Sequence, residues 1–233
     1  RDQLRAWVRG GLATYGETRD LAEEGATSRL SWALSLGCLS PVEVATACEG
    51  APGGGAFVRQ LCWRDFFAQL LCSRDELEHR SPRPEPEWVD DDAGFDAWVQ
   101  GRTGFPLVDA SMRQLTDEGF MPYRNRMAVA SFLTKDLRVD WRRGAAHFEA
   151  LLCDHDVASN QLNWQWVAGT GTGANPHRVL NPHRQAERAD PTGAYVRRWL
   201  DGADLRRPPI VEHAAAIDAW RHAMRGARLR AAS

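Results

Sequence analysis

Hydroxyl, acidic and aromatic side chains form four groups in this sequence that could carry chemistry. The first group consists of Thr27, Ser28, Arg29, Leu30 and Ser31, which follow a glycine and precede an apolar stretch. Free backbone N–H groups at a helix N-terminus, together with hydroxyls and a guanidinium, bind phosphate well. Hydroxyl residues at such a place also cap helices without any ligand. Spacing alone leaves both interpretations open.

The second group is a pair of carboxylates, Asp154 and Asp156, on either side of His155. Such a pair could bind a metal ion, could accept hydrogen bonds from hydroxyl and ring N–H groups of a ligand, or could be surface charges after a helix. Asn160 follows, and then a glycine run at residues 169–173. That run lacks the GxxxxGK(S/T) pattern, so nucleoside-triphosphate chemistry is not indicated.

Aromatic and basic side chains are mixed in the third and fourth groups. Residues 59–67 (RQLCWRDFF) place Trp63 beside Arg64, a combination that can stack on a base and reach a phosphate. Arg124 and Arg126 form a small local basic patch. The plain alternatives are a core helix with an exposed arginine and a solvated surface.

Length, charge and cysteine usage limit the class of protein. The chain has 233 residues, of which 29 are basic and 31 acidic, so net charge gives no argument for nucleic-acid binding and any basic surface must be local. Its five cysteines are odd in number and include no CxxC pair, which disfavours a disulfide framework or a zinc site and favours a reducing cytoplasm. No apolar run approaches the ~18 residues of a membrane span, and no secretory leader follows Arg1.

Helical periodicity dominates the elements that must position these groups. Alternating strand patterns are nearly absent, so we predict a mainly α, multi-helical fold. The predicted helices cover residues 57–71, 107–115, 127–137 and 212–230, and another begins after Gly144. Gly119 is placed to end the helix that contains residues 107–115. Glycine- and proline-rich segments predict loops at residues 51–55, 81–92 and 170–191, and long loops in a compact domain are usually functional.

Taken together, these motifs resemble the FAD-binding helical domain of the DNA photolyase/cryptochrome family, with cyclobutane pyrimidine dimer photolyases as the nearest type. The strings that carry the resemblance are TSRLS, RQLCWRDFF, GRTGFPLVDASMRQL, RMAVASFLTKDLRVDW, DHDVASNQLNWQWVAGTGTG and NPHRQAERADPTGAYVRRWL. They begin at residues 27, 59, 101, 126, 154 and 181. The resemblance implies one domain over residues 1–233, with a core at about residues 15–200, that holds FAD in a folded, U-shaped pose.

The resemblance also implies which residues contact the cofactor. They are Tyr15, Thr27, Ser28, Arg29, Leu30, Ser31, Arg64, Asp154, His155, Asp156 and Asn160. Tyr15 and residues 27–31 would hold the phosphates of FAD. The two aspartates would meet its adenosine and flavin parts, and Asn160 would lie near the flavin N5.

Three of the ten tryptophans acquire a role from the resemblance. Trp164, Trp141 and Trp88 fall where this family carries an electron-transfer chain from the surface to the flavin. Indole is the most easily oxidised aromatic side chain, so spaced tryptophans can pass an electron inward. Without the resemblance, three core aromatics would be the better interpretation.

The substrate that the resemblance implies is DNA that contains pyrimidine dimers. Trp63 and Trp166 would flank a flipped dimer, while Arg124 and Arg126 would contact phosphates without reading sequence. The full set of implied substrate residues is Gln60, Trp63, Arg64, Tyr123, Arg124, Arg126, Met127 and Trp166. The leading hypothesis is light-driven repair of cyclobutane pyrimidine dimers by an electron from excited reduced flavin, with Gln60 and Asn160 as further catalytic residues.

Departures from the family pattern keep two alternatives open. Gln60 stands where many photolyases carry a glutamate, and Tyr123 stands where an asparagine is common. Both favour a cryptochrome-like blue-light photoreceptor without repair activity, whereas Trp63 and Trp166 favour repair. The other alternative is a remnant that binds FAD weakly or not at all. Nothing before Tyr15 alternates strands and helices, so we predict no α/β antenna domain or antenna pigment in this chain, and we expect a monomer with no metal and no membrane partner.

Overall fold

The computed structural model describes residues 1–22, 25–173 and 175–232, and within these ranges it contains helices and no strand. The helices are α1 (Asp2–Gly10), α2 (Tyr15–Thr18), α3 (Ser31–Ser35), α4 (Pro41–Ala47), α5 (Gly54–Ser73), α6 (Asp92–Val99), α7 (Pro106–Glu118), α8 (Tyr123–Ser131), α9 (Trp141–Leu151), α10 (Val157–Ala168), α11 (Pro182–Ala189), α12 (Ala194–Trp199) and α13 (His213–Ala232). Short 3₁₀ turns cover Asp75–Glu78 and Asp204–Arg206, and a π-helical turn covers Phe132–Asp136. The predicted mainly α, multi-helical fold is confirmed.

Local signals in the sequence explain why α7 begins and ends where it does. Pro106 occupies its first position, where the fixed φ of proline suits a helix and the missing N–H has no helical partner to lose. Gly119 follows its last residue with φ of 61°, and the Gly119 N–H donates to the Leu115 carbonyl. A left-handed residue at this place is a common helix stop, so the predicted end is confirmed.

The prediction that a helix begins after Gly144 is wrong. Helix α9 begins at Trp141, because the carboxylate of Asp140 accepts a hydrogen bond from the Arg142 N–H and caps the helix. Gly144 lies inside α9, where a Cβ atom would come within 2.3 Å of the Trp164 indole. The glycine therefore allows α9 and α10 to approach closely rather than marking a boundary.

The loop predicted at residues 51–55 is shorter than expected. Gly54 and Gly55 form the first turn of α5, and only the preceding Gly53 has the left-handed conformation, with φ of 77°. A Cβ atom at Gly54 would lie 2.2 Å from the Cys48 carbonyl oxygen. Close packing between the ends of α4 and α5 therefore selects glycine here, and the composition alone looks like a flexible loop.

Helix α10 is the central element, since it packs against α5, α8 and α9. The largest buried cluster lies on one side of it and is rich in aromatics, with Trp98, Trp141, Phe148 and Trp164 among its members. A second buried cluster is formed by the first five helices. The space between these two clusters is where the functional site lies.

The C-terminal helix docks on the π-helical turn. The Lys135 ammonium donates to the Arg178 carbonyl and lies 4.6 Å from the centre of the Trp220 ring of α13. His213, at the start of α13, lies 2.5 Å from the Asp136 carboxylate. Burial lowers the pKa of Lys135 to about 7 and raises that of Asp136 to about 6, although each is opposed by the neighbouring opposite charges.

Candidate functional site

A cavity of about 520 Å³ opens between α2, α3 and α5 on one side and α8, α9 and α10 on the other. This volume is within the range of ligand pockets. The predicted site residues on its wall are Tyr15, Thr27, Ser28, Leu30, Ser31, Gln60, Trp63, Arg64, Tyr123, Arg124, Arg126, Met127, Asp154, His155, Asp156, Asn160, Trp164 and Trp166. Side chains from four of the motifs, together with Tyr15, Tyr123 and Arg124, thus meet around one space.

Three predicted residues do not line this cavity. Trp141 and Trp88 lie behind it in the aromatic core. Arg29 has a left-handed backbone, with φ of 50°, and its guanidinium is 3.0 Å from the Glu118 carboxylate and 4.5 Å from the centre of the Phe120 ring. Arg29 lines a separate cavity of about 200 Å³, so its charge is directed away from the larger one.

The floor of the large cavity carries a buried ion pair. Asp154, whose side chain is 2% exposed, lies 2.8 Å from Arg126, and the Arg126 Nε also donates to the Met121 carbonyl. Burial by itself raises the pKa of Asp154, but the Arg126 charge and the Arg126 hydrogen bond outweigh it and lower the pKa below its ordinary value. Asp154 is therefore a carboxylate, with one oxygen used by Arg126.

The other oxygen of Asp154 has no partner. Its Oδ1 is buried and accepts no hydrogen bond in the described part of the chain, and the same holds for the buried Nε2 of the neighbouring His155. A buried polar atom without a partner is uncommon and points to a missing ligand or solvent molecule. The cavity floor thus offers an unused acceptor on a charged group.

Asp156 fixes the start of α10. Its Oδ1 accepts from the Ser159 N–H at 2.9 Å, and its Oδ2 lies 3.5 Å from the Arg64 guanidinium on α5. One turn further on, the side-chain nitrogen of Asn160 donates to the Ala145 carbonyl at 3.0 Å. This bond fixes the amide orientation and leaves the Asn160 oxygen as an acceptor.

The hydroxyl segment before α3 is not a plain N-cap. No side chain caps α3, and the Ser28 hydroxyl accepts instead from the Leu30 N–H at 3.2 Å. The Gln3 side chain holds this segment from the other side through the Ser28 and Arg29 carbonyls. The Thr27 hydroxyl has no hydrogen-bond partner among the described residues, so hydroxyl donors remain available on the cavity wall.

Aromatic side chains form the mouth of the cavity. The Trp63 and Trp166 rings meet edge to face, with their centres 5.4 Å apart at an angle of 85°, and the buried Phe67 ring lies 6.0 Å from that of Trp63. Trp63 is 45% exposed, although indole is mostly buried in folded proteins. The half-buried Gln60 lines the same mouth.

Polar residues complete the mouth, and the sequence analysis missed several of them. The Tyr123 hydroxyl lies 3.3 Å from the Asn163 side-chain oxygen, and Arg124 forms a 2.6 Å ion pair with Asp20. Arg19, Asn163 and Arg178 also line the cavity. Asn163 lies next to two predicted residues, whereas the arginines come from motif-free segments and no local pattern could have indicated them.

The three tryptophans of the predicted electron-transfer chain belong to one core cluster. Trp164 lines the cavity and packs against Phe148 and Trp98, with ring centres 5.0 Å and 6.2 Å away. Trp141 is fully buried, and Trp88 is half-buried against the cluster. Trp88 is therefore more exposed than Trp141, and of these three indoles only that of Trp164 lines the cavity.

The metal interpretation of the two aspartates finds no support. Among the described residues, no group of three or more His, Cys, Asp or Glu side chains is positioned to hold a metal ion. Asp154 is engaged by an arginine and Asp156 caps a helix. The interpretation of the pair as mere surface charges is also wrong for Asp154, which is buried.

Comparison with known proteins agrees with this architecture. Residues 57–226 match the model of the FAD binding domain of DNA photolyase. The deoxyribodipyrimidine photo-lyase of Streptomyces griseus is 51% identical over 203 residues, which are 86% of this chain and 45% of that protein. A class III photolyase from Agrobacterium tumefaciens superposes with a TM-score of 0.89 at 37% identity, over 97% of this chain and 55% of that one.

A cryptochrome from Synechocystis is also similar, with a TM-score of 0.86 at 31% identity over 95% of this chain and 54% of that one. The chain belongs to the family of the FAD binding domain of DNA photolyase. The expected family and the expected cofactor, FAD, are confirmed. The chain spans about half the length of the curated relatives it matches. No helix among the described residues is both long and apolar enough to cross a membrane.

Proposed function

We propose that this chain binds FAD in the large cavity and repairs cyclobutane pyrimidine dimers in DNA with light, as a deoxyribodipyrimidine photo-lyase. One observation carries the proposal. Two partly exposed indoles, Trp63 and Trp166, stand at right angles at the mouth of a cavity whose floor holds an unpaired carboxylate oxygen. A flat apolar guest at the mouth and a donor-rich ligand below it would satisfy both features.

The residues of the floor suit FAD. The unpaired Asp154 oxygen and the Asn160 amide oxygen accept hydrogen bonds from neutral ring or ribose donors, while the Thr27 and Ser28 hydroxyls suit the phosphates. The chemistry that FAD would supply here is light-driven transfer of one electron to the lesion and back. Helix α10 and the Asp154–Arg126 pair hold the acceptors in place before the cofactor arrives.

The mouth supplies the surface for the lesion. Trp63 and Trp166 would stack on the two bases of a flipped dimer, and base–aromatic stacking contributes ~1–3 kcal/mol per base. A damaged pair is easier to extrude because it stacks poorly in the duplex. The Gln60 amide would hydrogen-bond a base edge, and Met127 and Tyr123 would contact the same guest.

The two arginines of the basic patch have different proposed roles. Arg126 is held inward by Asp154, so we assign it to the cofactor floor rather than to a DNA phosphate. Arg124 lies at the mouth and pairs with the exposed Asp20, a partner that a DNA phosphate can replace. Arg64, bridged to Asp156, would stand between cofactor and lesion.

The indoles Trp164, Trp141 and Trp88 would reload the cofactor with electrons. Trp164 lines the cavity and is thus the proposed first donor, Trp141 the second and the half-exposed Trp88 the last. The same route serves the second candidate function, a blue-light receptor of cryptochrome type. The similarity to a cryptochrome structure and the replacements at Gln60 and Tyr123 favour that candidate.

We further propose that residues 1–233 act as one monomeric domain, with its core at about residues 15–200, in a reducing cytoplasm. All five cysteines are free thiols, which supports the compartment. The aromatic cluster of the second half and the cluster of the first five helices face one shared cavity, which supports the single domain.

A light-dependent assay on a thymine-dimer oligonucleotide tests the repair function. The purified, FAD-loaded chain should restore the oligonucleotide under blue light with the flavin fully reduced, and Trp63→Ala and Trp166→Ala should each reduce restoration. Trp32→Ala is the matched control, since that indole is 40% exposed but does not line the cavity. No restoration by the fully reduced wild type would favour the receptor, and Gln60→Glu would then show whether this side chain is responsible.

A further inference from the structure

One carboxylate connects the two outer indoles of the proposed electron-transfer chain. Glu85 lies in the irregular segment before α6, and its Oε2 accepts from the Trp88 indole N–H at 3.0 Å. Its Oε1 lies 3.5 Å from the indole N–H of Trp141, which also donates to Ser81 at 3.2 Å. Two tryptophans from separate segments of the chain thus share the two oxygens of one side chain.

Arg142 holds this carboxylate in place and ionised. Its two terminal nitrogens lie 2.7 Å and 3.0 Å from the two Glu85 oxygens, which is a bidentate ion pair. Burial by itself raises the pKa of Glu85, but hydrogen bonds from Arg142, Ser81 and Trp88 outweigh it and lower the pKa to about 2. Glu85 therefore carries a full negative charge in direct contact with the Trp88 indole and close to that of Trp141.

The balance of charge at these indoles is negative. Arg142 also pairs with Asp140 at 3.1 Å, so two carboxylates surround one guanidinium, which itself lies 4.7 Å from the centre of the Trp141 ring. The surroundings of Trp164 differ, because Phe148 and Trp98 pack against it and its indole N–H donates no hydrogen bond among the described residues. Glu85 thus accepts a hydrogen bond from the Trp88 indole and lies close to that of Trp141, whereas no carboxylate accepts one from the Trp164 indole among the described residues, and this difference favours positive charge on the outer pair.

We propose that Glu85 is a positioning residue of the electron-transfer chain, which fixes the indoles of Trp88 and Trp141 and stabilises positive charge on them relative to Trp164. The inference rests on the proposed electron-transfer role of the tryptophans. Its electron balance is simple. One electron leaves Trp141 and refills oxidised Trp164, and one electron leaves Trp88 and refills oxidised Trp141. Glu85 gains and loses neither electron nor proton, and the positive charge ends on Trp88.

Charge removal without a change of shape tests this role. Glu85→Gln keeps the size of the side chain and one acceptor oxygen. Glu87→Gln is the matched control. Glu87 lies two residues after Glu85, its side chain is exposed, and the substitution removes the same charge. Each protein is studied both with FAD and as FAD-free protein exposed to a ruthenium polypyridyl photo-oxidant with persulfate as electron acceptor. The readout is the transient absorption of oxidised tryptophan, and melting temperature and flavin content are measured in parallel.

We expect Glu85→Gln to shorten the lifetime of oxidised tryptophan about tenfold in both experiments, a change equivalent to ~1.4 kcal/mol. Glu87→Gln should behave as wild type. Arg142→Gln should also shorten the lifetime, because it removes the guanidinium that holds Glu85 in place and ionised. If Glu85→Gln fails to fold, the lifetime of oxidised tryptophan in Arg142→Gln tests the proposal in its place.

The outcomes separate this inference from the electron-transfer proposal itself. If Trp88→Phe and Trp141→Phe leave photoreduction of the flavin unchanged, the proposed chain is wrong and the role of Glu85 falls with it. If those variants slow photoreduction while Glu85→Gln matches Glu87→Gln, only the role of Glu85 is overturned. A loss of radical lifetime that occurs only together with loss of flavin or a lower melting temperature assigns Glu85 to fold stability and also overturns the inference.

Discussion

The floor and the mouth of the large cavity are built differently. On the floor, Asp154 is buried, paired with Arg126 and left with one unused oxygen. At the mouth, Trp63 is 45% exposed and Tyr123 is 51% exposed. A group that binds once and stays needs polar partners fixed in advance, whereas a guest that arrives and leaves needs an accessible surface. The contrast therefore agrees with a resident cofactor below and an exchanging substrate above.

The largest expected effect comes from breaking the ion pair of the floor. Arg126→Leu leaves the buried Asp154 charge without its partner, and loss of one partner of a buried pair costs ~3–5 kcal/mol. We expect a loss of this size in the free energy of urea unfolding, together with loss of flavin absorbance. Arg124→Leu at the mouth is the control and should cost below ~1 kcal/mol, because its partner Asp20 is exposed. Equal losses in the two variants would refute the distinction between floor and mouth.

Filling the contact between α9 and α10 should also disturb the floor. Gly144→Ala places a Cβ atom 2.3 Å from the Trp164 indole in a closely packed core, and overpacking costs ~1–3 kcal/mol. Thermal unfolding with flavin detection measures the loss. Gly16→Ala is the control, since no atom lies within 4 Å of its Cβ position. A Gly144→Ala protein as stable as wild type would show that the helices separate easily here.

Changes at the mouth should affect the substrate and spare the cofactor. Trp63→Ala should weaken binding of a dimer-containing oligonucleotide in the dark by ~1–3 kcal/mol, the range for loss of one base–aromatic stack. Flavin content and the free energy of unfolding should remain close to wild type. Fluorescence anisotropy of a labelled oligonucleotide measures the affinity. Unchanged affinity would place the lesion elsewhere on the surface.

A fall in pH should weaken the cavity floor, and with it flavin retention, before it affects the mouth. This is the smallest of the four predicted effects. The pKa of Asp154 is lowered in the folded state, since the Arg126 charge outweighs the effect of burial. A lowered folded pKa means that the contribution to stability is complete above the unfolded value of ~3.9 and is lost as the pH falls through the folded value. Flavin retention should therefore fall below about pH 4.

The Arg126→Leu protein provides the comparison for this acid transition. Arg126 supplies the strongest influence that lowers the pKa of Asp154, so without its guanidinium the acid-dependent part of the melting temperature should shrink. Melting curves between about pH 3 and pH 6 measure both proteins. If the melting temperature changes with pH equally in the wild type and in Arg126→Leu, carboxylates other than Asp154 cause the acid sensitivity.

Local sequence signals predicted the helices well where caps and periodicity coincide, as at α7 with Pro106 and Gly119. They failed where a glycine serves packing between elements, as at Gly144, because composition does not reveal which neighbour approaches. The family resemblance predicted a set of site residues, and most of these residues line one cavity. It could not indicate that Arg29 pairs with Glu118, since that contact joins segments 89 positions apart.

Pairing between distant charges was also beyond prediction from the sequence. Arg126 looked like a member of a basic patch with Arg124, yet Asp154 holds it inward. Glu85 lies in the predicted loop at residues 81–92, where no local pattern indicates a role, yet two indoles and a guanidinium share it. Such roles depend on tertiary geometry, whereas a local pattern reports only neighbours along the chain.

The double contact of Asp156 restricts which residue can occupy that position. One of its oxygens starts α10 and the other faces Arg64 on α5. Serine or asparagine would retain the cap but discard the charge, while glutamate would retain the charge but is not a favoured cap. Of these residues, only aspartate does both. The start of α10 and the negative charge beside Arg64 therefore depend on the same side chain, and a substitution of Asp156 cannot change one without risk to the other.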